Sequence, residues 1–340
     1  MKPPRSKPAR RVGALKRWSP GPALRRVALG LLVVATAGGA MAAELSLATG
    51  PPDSADHAVG QALCRLYNDA RGADMPACAA VSSGGSVANI EALRAGRRQI
   101  ALVQADMGGA AARSGHPFAG RPAFMDLRVL MALHVEQFTV LARRDAGVAA
   151  FTDLKGRRVG VPPRAAGGRA TLGKVLQHYG WVEDQAFAGL VEVEPADRAS
   201  ALCDGRVDAM IDVVGHPDPT FAAAARRCPT RLAGLAGRSM ERMMSRYVAY
   251  RPTTIPAGLY PGTATRTPTI GLRVLLMAPA SLDASIAAKI VESAAENAAV
   301  LGDAHPSLDG ITPSDMAPRD GAVPVHPGAR DAFRAAGIRQ

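Results

Sequence analysis

From residue 44 onward, short apolar runs alternate with stretches whose apolar residues recur at helical spacing, the rhythm of an α/β chain. Residues 44–49 predict a first strand, and 58–71 a helix whose apolar positions share one face. A second strand is predicted at 79–82, leading into the turn Ser83-Gly84-Gly85 and a helix over 86–95. Strands three and four fall at 100–103 and 127–134. A second series then begins, with strands at 138–142, 158–161, 191–194 and 209–213 and helices at 170–180 and 196–204. Residues 269–277 predict a late strand, 282–301 a long helix and 331–336 a short terminal one. The same strand-and-helix grammar thus runs twice in succession. Two α/β lobes place a ligand site in the cleft between them, at the carboxyl ends of the strands.

Charge changes this picture only at the amino-terminal end. The formal net charge of +12 points first to nucleic acid. Yet the first 42 residues carry nine Lys or Arg and no acid, and an apolar run over 27–37 follows Arg25-Arg26. Basic residues, a short apolar stretch and the small residues Ala40-Met41-Ala42 have the layout of a secretory leader, so 1–42 is expected to be a signal peptide cleaved before Ala43. Ordinary secretion is the default; Arg25-Arg26 leaves twin-arginine export as an alternative. The remaining body has 32 bases against 29 acids and no basic stripe interleaved with aromatics, which removes the nucleic-acid reading. No later stretch reaches the roughly 20 apolar residues that a membrane span needs. The expected location is the periplasm, with no stable membrane insertion after cleavage.

The four cysteines, Cys64, Cys78, Cys203 and Cys228, suit an oxidising compartment. Local bridges Cys64 to Cys78 and Cys203 to Cys228 are the simplest of three pairings; buried free thiols are the alternative. No Cys-x-x-Cys or Cys/His cluster offers a metal box, and neither metal nor cofactor is expected. Catalytic signatures are also missing: there is no Gly-x-Ser-x-Gly elbow, His-Glu-x-x-His or Walker loop, and no enzymatic activity is expected.

Candidate ligand contacts therefore come from the strand-to-helix loops. In the first, Thr49 and Gly50 can present a hydroxyl and backbone N–H groups, although a plain connecting turn explains them equally well. In the second, Ser83, Gly84, Gly85, Ser86 and Asn89 bring the backbone close to a ligand, and Ser86 is placed to cap the helix that follows, whose N-terminus favours an anion. Gln104 and Asp106 follow the third strand, as polar contacts or with Asp106 as a helix cap. In the second lobe, Arg164, Gly167, Gly168 and Arg169 precede a helix, and an Arg fork suits a carboxylate. Arg169 reads alternatively as a solvated charge. Gly215 and His216 aim at the same cleft, and His134 and Glu136 lie where the chain leaves the first lobe.

Several ordered motifs resemble one known family. Ser83-Gly84-Gly85-Ser86-Val87-Ala88-Asn89, Leu93-Arg94-Ala95-Gly96, Val103-Gln104-Ala105-Asp106, Asp153-Leu154-Lys155-Gly156, Gly215-His216-Pro217-Asp218-Pro219, Ile255-Pro256-Ala257-Gly258 and His326-Pro327-Gly328-Ala329 are similar to the TAXI-type extracytoplasmic binding proteins of tripartite ATP-independent periplasmic (TRAP) transporters. Asp153-Leu154-Lys155-Gly156 is shared more widely, by binding proteins of ABC importers. The resemblance implies a two-lobed type II periplasmic-binding fold, each lobe a mixed sheet flanked by helices, joined by two hinge crossings. Lobe one is then residues 43–137 plus 269–340 and lobe two 138–268. It also implies a receptor for a small organic acid or amino acid, delivering it to a TRAP permease. An ABC importer or a membrane sensor is the alternative partner, and an enzyme on the same fold a remote one. Where many relatives carry neighbouring tyrosines this chain has Asp56-His57, and where they carry Gly-Ser-Gly it has Ala165-Ala166-Gly167, so the particular ligand does not carry over.

Overall fold

The computed structural model describes residues 44–319 and 321–339, so the expected leader lies outside the described residues. In chain order the elements are β1 (Leu45–Ala48), α1 (Ala55–Ala70), β2 (Cys78–Val81), α2 (Ser86–Arg94), β3 (Ile100–Gln104), α3 (Ala105–Ala112), β4 (Leu127–Arg143), β5 (Arg158–Val161), α4 (Gly167–Tyr179), α5 (Glu183–Ala186) and β6 (Gly189–Glu192). There follow α6 (Arg198–Cys203), β7 (Ala209–Val214), α7 (Pro219–Arg227), β8 (Thr230–Leu232), α8 (Arg238–Arg246), β9 (Tyr250–Ile255), β10 (Thr267–Pro279), α9 (Ala284–Glu296), α10 (Ala298–Gly302), α11 (Pro313–Met316) and α12 (Pro327–Ala335).

The strands form one continuous path, β2-β1-β3-β10-β4-β7-β5-β6, with β8 added to β4 and β9 to β10. β1, β2 and β3 are mutually parallel, as are β5, β6 and β7, whereas β10 and β4 run antiparallel to their neighbours. Two long strands join the halves by changing partners. β4 pairs with β10 up to Gln137 and with β7 from there on, while β10 pairs with β9 over Thr267–Leu272. Gly271 sits at the exchange, where a Cβ would come within 2.9 Å of Val135 Cγ1 and 3.0 Å of Thr253 Cγ2. Three backbones crowd together there, and any side chain would push them apart.

Burial on both faces accounts for the near-continuous apolar strands. Along β3, Ile100 and Leu102 join one core with Leu63, Tyr67, Ile290 and Phe333, while Ala101 and Val103 join a second with Ile90, Leu93 and Met107. In the other half Ile211 and Val213 pack with Leu172 and Val175, and Met210 packs with Leu202, Phe221 and Tyr260. Each half is therefore a sheet with helices on both faces. Both local cysteine bridges are present, Cys64–Cys78 tying α1 to β2 and Cys203–Cys228 tying α6 to the end of α7.

Several expectations need correction. The separate strands at 127–134 and 138–142 are one 17-residue strand, because β10 and β7 keep the polar His134-Val135-Glu136-Gln137 stretch extended. The long helix at 282–301 breaks at Asn297, whose φ of −115° leaves the helical region. The terminal helix starts earlier, at Pro327: His326 accepts from Gly328 N–H, and proline suits the first helical position. The segment from 219 to 255, unassigned from sequence, holds α7, β8, α8 and β9. Asp218 caps α7 ahead of Pro219, and β9 pairs only with β10, which tolerates Pro252.

Leu276 is fully buried in β10, in the core it shares with Leu63, Ile290 and Phe333. Leu276→Ala is expected to cost about 2–5 kcal/mol, read as a lower urea midpoint at unchanged slope.

Candidate functional site

The loops singled out in the first half are held mainly by one another. Asn89 Nδ2 donates to Thr49 O at 2.6 Å and Leu102 O at 2.7 Å. Ser83 Oγ donates to Thr49 O and accepts from Gly85 N–H, while Ser83 N–H donates to Gly50 O. Ser86 does not cap its helix. Gly85 holds the cap position at φ +102°, a conformation glycine adopts without strain, and Ser86 Oγ accepts from Gln104 N–H instead. Thr49, Ser83, Ser86 and Asn89 thus align three carboxyl strand ends.

The second-half loop meets them closely. Ala88 N–H donates to Ala165 O at 3.2 Å across the gap. A Cβ at Gly84 would lie 3.1 Å from Ala165 Cβ, and one at Gly85 3.3 Å from Ala166 Cα. A Cβ at Gly167 would overlap Gln104 Oε1, and one at Gly168 would overlap Asp212 Oδ1. The α2 and α4 N-termini therefore face each other across a closed seam, which glycine makes possible. The arginines stand elsewhere. Arg164 is exposed, and Arg169 forms two hydrogen bonds to Glu183 in its own half, which hold the Glu183 carboxyl below its usual range.

Beneath the seam lies a buried polar cluster. Gln104 Nε2 donates to Glu136 Oε2 at 2.5 Å, and His134 Nε2 approaches Asp56 Oδ1 at 3.2 Å. Burial, reinforced by the charge of Asp56, pushes the Glu136 carboxyl well above the usual carboxylate range. Arg198 pairs with Asp212 and donates to Thr220 Oγ1.

His216 is fixed in a directed chain of hydrogen bonds. Asp218 N–H donates to Tyr260 Oη at 2.7 Å; Tyr260 Oη is 2.6 Å from His216 Nδ1; His216 Nε2 is 2.8 Å from Thr139 Oγ1, which donates to Gln137 O. With Tyr260 already accepting from Asp218 and Thr139 already donating, each donor finds an acceptor only if Nδ1 accepts and Nε2 carries the proton. His216 is therefore neutral, and burial, then the neighbouring His305, lowers its pKa to about 4. Its role is to join the start of α7 to the crossing strand β4.

An open cleft of about 1090 Å³ adjoins the seam, with walls from both halves: α3, α4, the α8–β9 segment, β10 and residues 314–325. At its inner end Asp106 Oδ2 accepts from Tyr250 Oη (2.5 Å), Lys174 Nζ (2.8 Å) and Thr171 Oγ1 (3.1 Å), clasping α3 to α4 and β9. Asp106 thus makes an interlobe clasp rather than a helix cap; the residue before α3 is Gln104. Among the described residues the walls carry Arg113, Lys174, Arg246, Arg251, Arg273 and Arg319 against only Asp106 and Asp315. Of the residues singled out from sequence, only Asp106 lines this cleft; Lys174, Tyr250 and the arginines were missed, being scattered singly along helices and strand ends with no local motif. Asp212 did leave a signal, as the one acid inside an apolar strand.

Two α/β lobes, joined by two strands that exchange partners and closing a cleft at their carboxyl ends, define the type II periplasmic-binding fold. Residues 47–337 match the NMT1-like family, and the chain belongs to it. The structure is similar to that of a protein from Bordetella bronchiseptica RB50, at 14% identity over 87% of this chain and 98% of that one, with a TM-score of 0.56. It is also similar to MatC from Rhodopseudomonas palustris, solved with bound malate, at 15% identity over 78% and 88%, with a TM-score of 0.50. At such identities the likeness is one of fold. No helix among the described residues is long and apolar enough to cross a membrane.

Two measurements test the seam. The double variant Gly167→Ala/Gly168→Ala places two methyl groups where Gln104 and Asp212 now lie, and is expected to raise the radius of gyration in solution scattering relative to wild type. For His216, the unfolded chain binds a proton near pH 6.5 and the folded chain only near pH 4, so its contribution is complete above pH 6.5 and is lost as pH falls towards 4. Urea unfolding across that window should show a slope from this group of up to about 1.4 kcal/mol per pH unit, absent in His216→Gln.

Proposed function

We propose that this chain is a periplasmic receptor that captures a small carboxylated solute between its lobes and delivers it to an ion-gradient-driven permease of the TRAP class. The observation that carries the reading is the interlobe cleft with six cations and two carboxylates, one of the latter already paired with Lys174. Its volume suits a small ligand, and arginine forks match carboxylates in geometry as well as charge. The fold and the family match support a binding role, and the TRAP partner rests on the ordered motifs that resemble TAXI-type receptors.

In this reading residues 43–137 with 269–340 move as one lobe and 138–268 as the other, hinged where β4 and β10 change partners. Parting the lobes would expose the amides of Gly84 and Ser86 and of Gly167 and Gly168, two helix starts that favour an anionic group. Closure then returns the Asp106 clasp. A permease can tell loaded from empty receptor only if solute binds one of these states better than the other. An adjacent gene for a large ion-coupled permease supports the TRAP partner, and an ATPase gene would replace it with an ABC importer.

A thermal-shift screen of dicarboxylates, oxo acids and amino acids tests the solute class. A true solute at a hundredfold excess over Kd should add about 2.7 kcal/mol of stability. Arg113→Ala and Arg246→Ala should each weaken its binding about tenfold or more, while Arg164→Ala, outside the cleft walls, leaves it unchanged. No stabilisation by any anionic solute would remove the reading.

A further inference from the structure

The buried cluster under the seam has chemistry that neither the solute cleft nor the hinge uses. Asp56 in the first turn of α1 and His134 and Glu136 on β4 are 7%, 2% and 6% exposed. One ligating atom from each lies within 4.8 Å of the other two. His134 Nε2 comes to 3.2 Å from Asp56 Oδ1, yet the two are not aligned as a hydrogen bond, and Asp56 Oδ1 and both ring nitrogens of His134 have no partner. A buried polar atom without a partner is costly, so such atoms converging on one point call for a shared partner. A cation coordinates converging lone pairs and serves all three residues at once.

We propose that Asp56, His134 and Glu136 bind a divalent transition-metal ion of the zinc class within the closed seam. Two carboxylates and one imidazole form a donor set for Zn²⁺, Co²⁺ or Mn²⁺, and leave a fourth position in a tetrahedral shell. Metal-to-ligand bonds of about 2.0–2.2 Å put neighbouring ligand atoms about 3.4 Å apart, close to the Asp56–His134 approach. The ion's charge balances the two carboxylates. The neighbouring cation Arg198 is committed to Asp212. Gln104 Nε2 orients Glu136 by holding Oε2, which leaves Oε1 for the ion.

The site is separate from the solute cleft, whose walls include none of the three residues. The β7–α7 loop roofs it: a Cβ at Gly215 would lie 2.9 Å from Ala55 Cβ and 3.3 Å from His134 Cδ2. An ion therefore enters when that loop moves off lobe one and is enclosed when it returns. No spacing motif announces the site, because Asp56 meets His134 and Glu136 only through the packing of α1 on β4, so the expectation of no metal followed from local patterns alone.

The test uses the untagged, solute-free protein, stripped with a chelator and titrated with Zn²⁺ by calorimetry and with Co²⁺ by visible absorption. The wild type should take up one equivalent, melt at a higher temperature with Zn²⁺, and show Co²⁺ d–d bands. His134→Gln and Glu136→Gln, checked for native circular dichroism and both disulfides, should weaken uptake at least about tenfold and lose the bands. Zinc X-ray absorption of the wild type should show one nitrogen and at least two oxygen ligands, a readout independent of whether the variants fold. No stoichiometric uptake of Zn²⁺, Co²⁺ or Mn²⁺, uptake unchanged in both folded variants, or a shell without oxygen would each overturn the proposal. None of these outcomes bears on the solute screen, where the metal-free protein is assayed against anions.

Discussion

The exchange of partners between β4 and β10 is the constraint on which the rest of the molecule depends. Each strand is paired along one lobe and then, without leaving extended conformation, paired along the other. Strand pairing continues through the crossing, with register shifts at Arg273/Leu275 and Leu276/Met277, so the two lobes share hydrogen-bonded strands instead of a loose linker. Gly271 permits the close approach, and the residues beside it, His134, Glu136, Gln137 and Thr139, are carried to the interface by the same strand. The polar cluster, the roof over it and the inner end of the solute cleft all take their positions from this crossing.

Charge is distributed around it in two ways. Inside the seam, solvent is excluded and, apart from Asp56 and His134, the ionisable groups are neutral or matched: His216 is held uncharged by its hydrogen-bond chain, Glu136 is driven towards the neutral acid, and Asp212 faces Arg198. In the open cleft, water screens the cations and six of them can stand near one another at modest cost. An entering anion displaces that water and meets donors already in place. The Asp106 clasp with Lys174, Thr171 and Tyr250 lies at the boundary between these regimes, with Tyr250 kept protonated by burial and by the Asp106 charge it bonds.

The loops found from sequence lie at the interlobe surface, but their roles changed. Ser83, Ser86 and Asn89 have side chains suited to a ligand, and the same hydroxyl and amide groups serve equally well to bind neighbouring backbone. Nothing in a local motif distinguishes these uses, since the choice depends on which strand end lies alongside. Arg169 likewise reads as a ligand clamp until Glu183, one helix away, is seen to occupy it. Three polar residues, His134, Glu136 and Gln137, interrupt the apolar run of the strand at 127–143 and divide it in a local reading, whereas pairing on both edges overrides that signal.

What the sequence determined by itself is what short-range physics controls. Apolar periodicity set the α/β class and the order of most strands and helices, glycine marked the strand-to-helix turns, and cysteine separations of 14 and 25 residues made local bridges the simplest of three pairings. Tertiary structure alone decided which side chains share a dielectric environment. Asp56 meets His134, Asp106 meets Tyr250, and single arginines from the end of α3, from α8, β9 and β10, and from the chain beyond α11 gather in one cleft. Such encounters join residues from distant parts of the chain. Electrostatic energy depends on distance and burial, and neither is encoded in the spacing of residues along the chain.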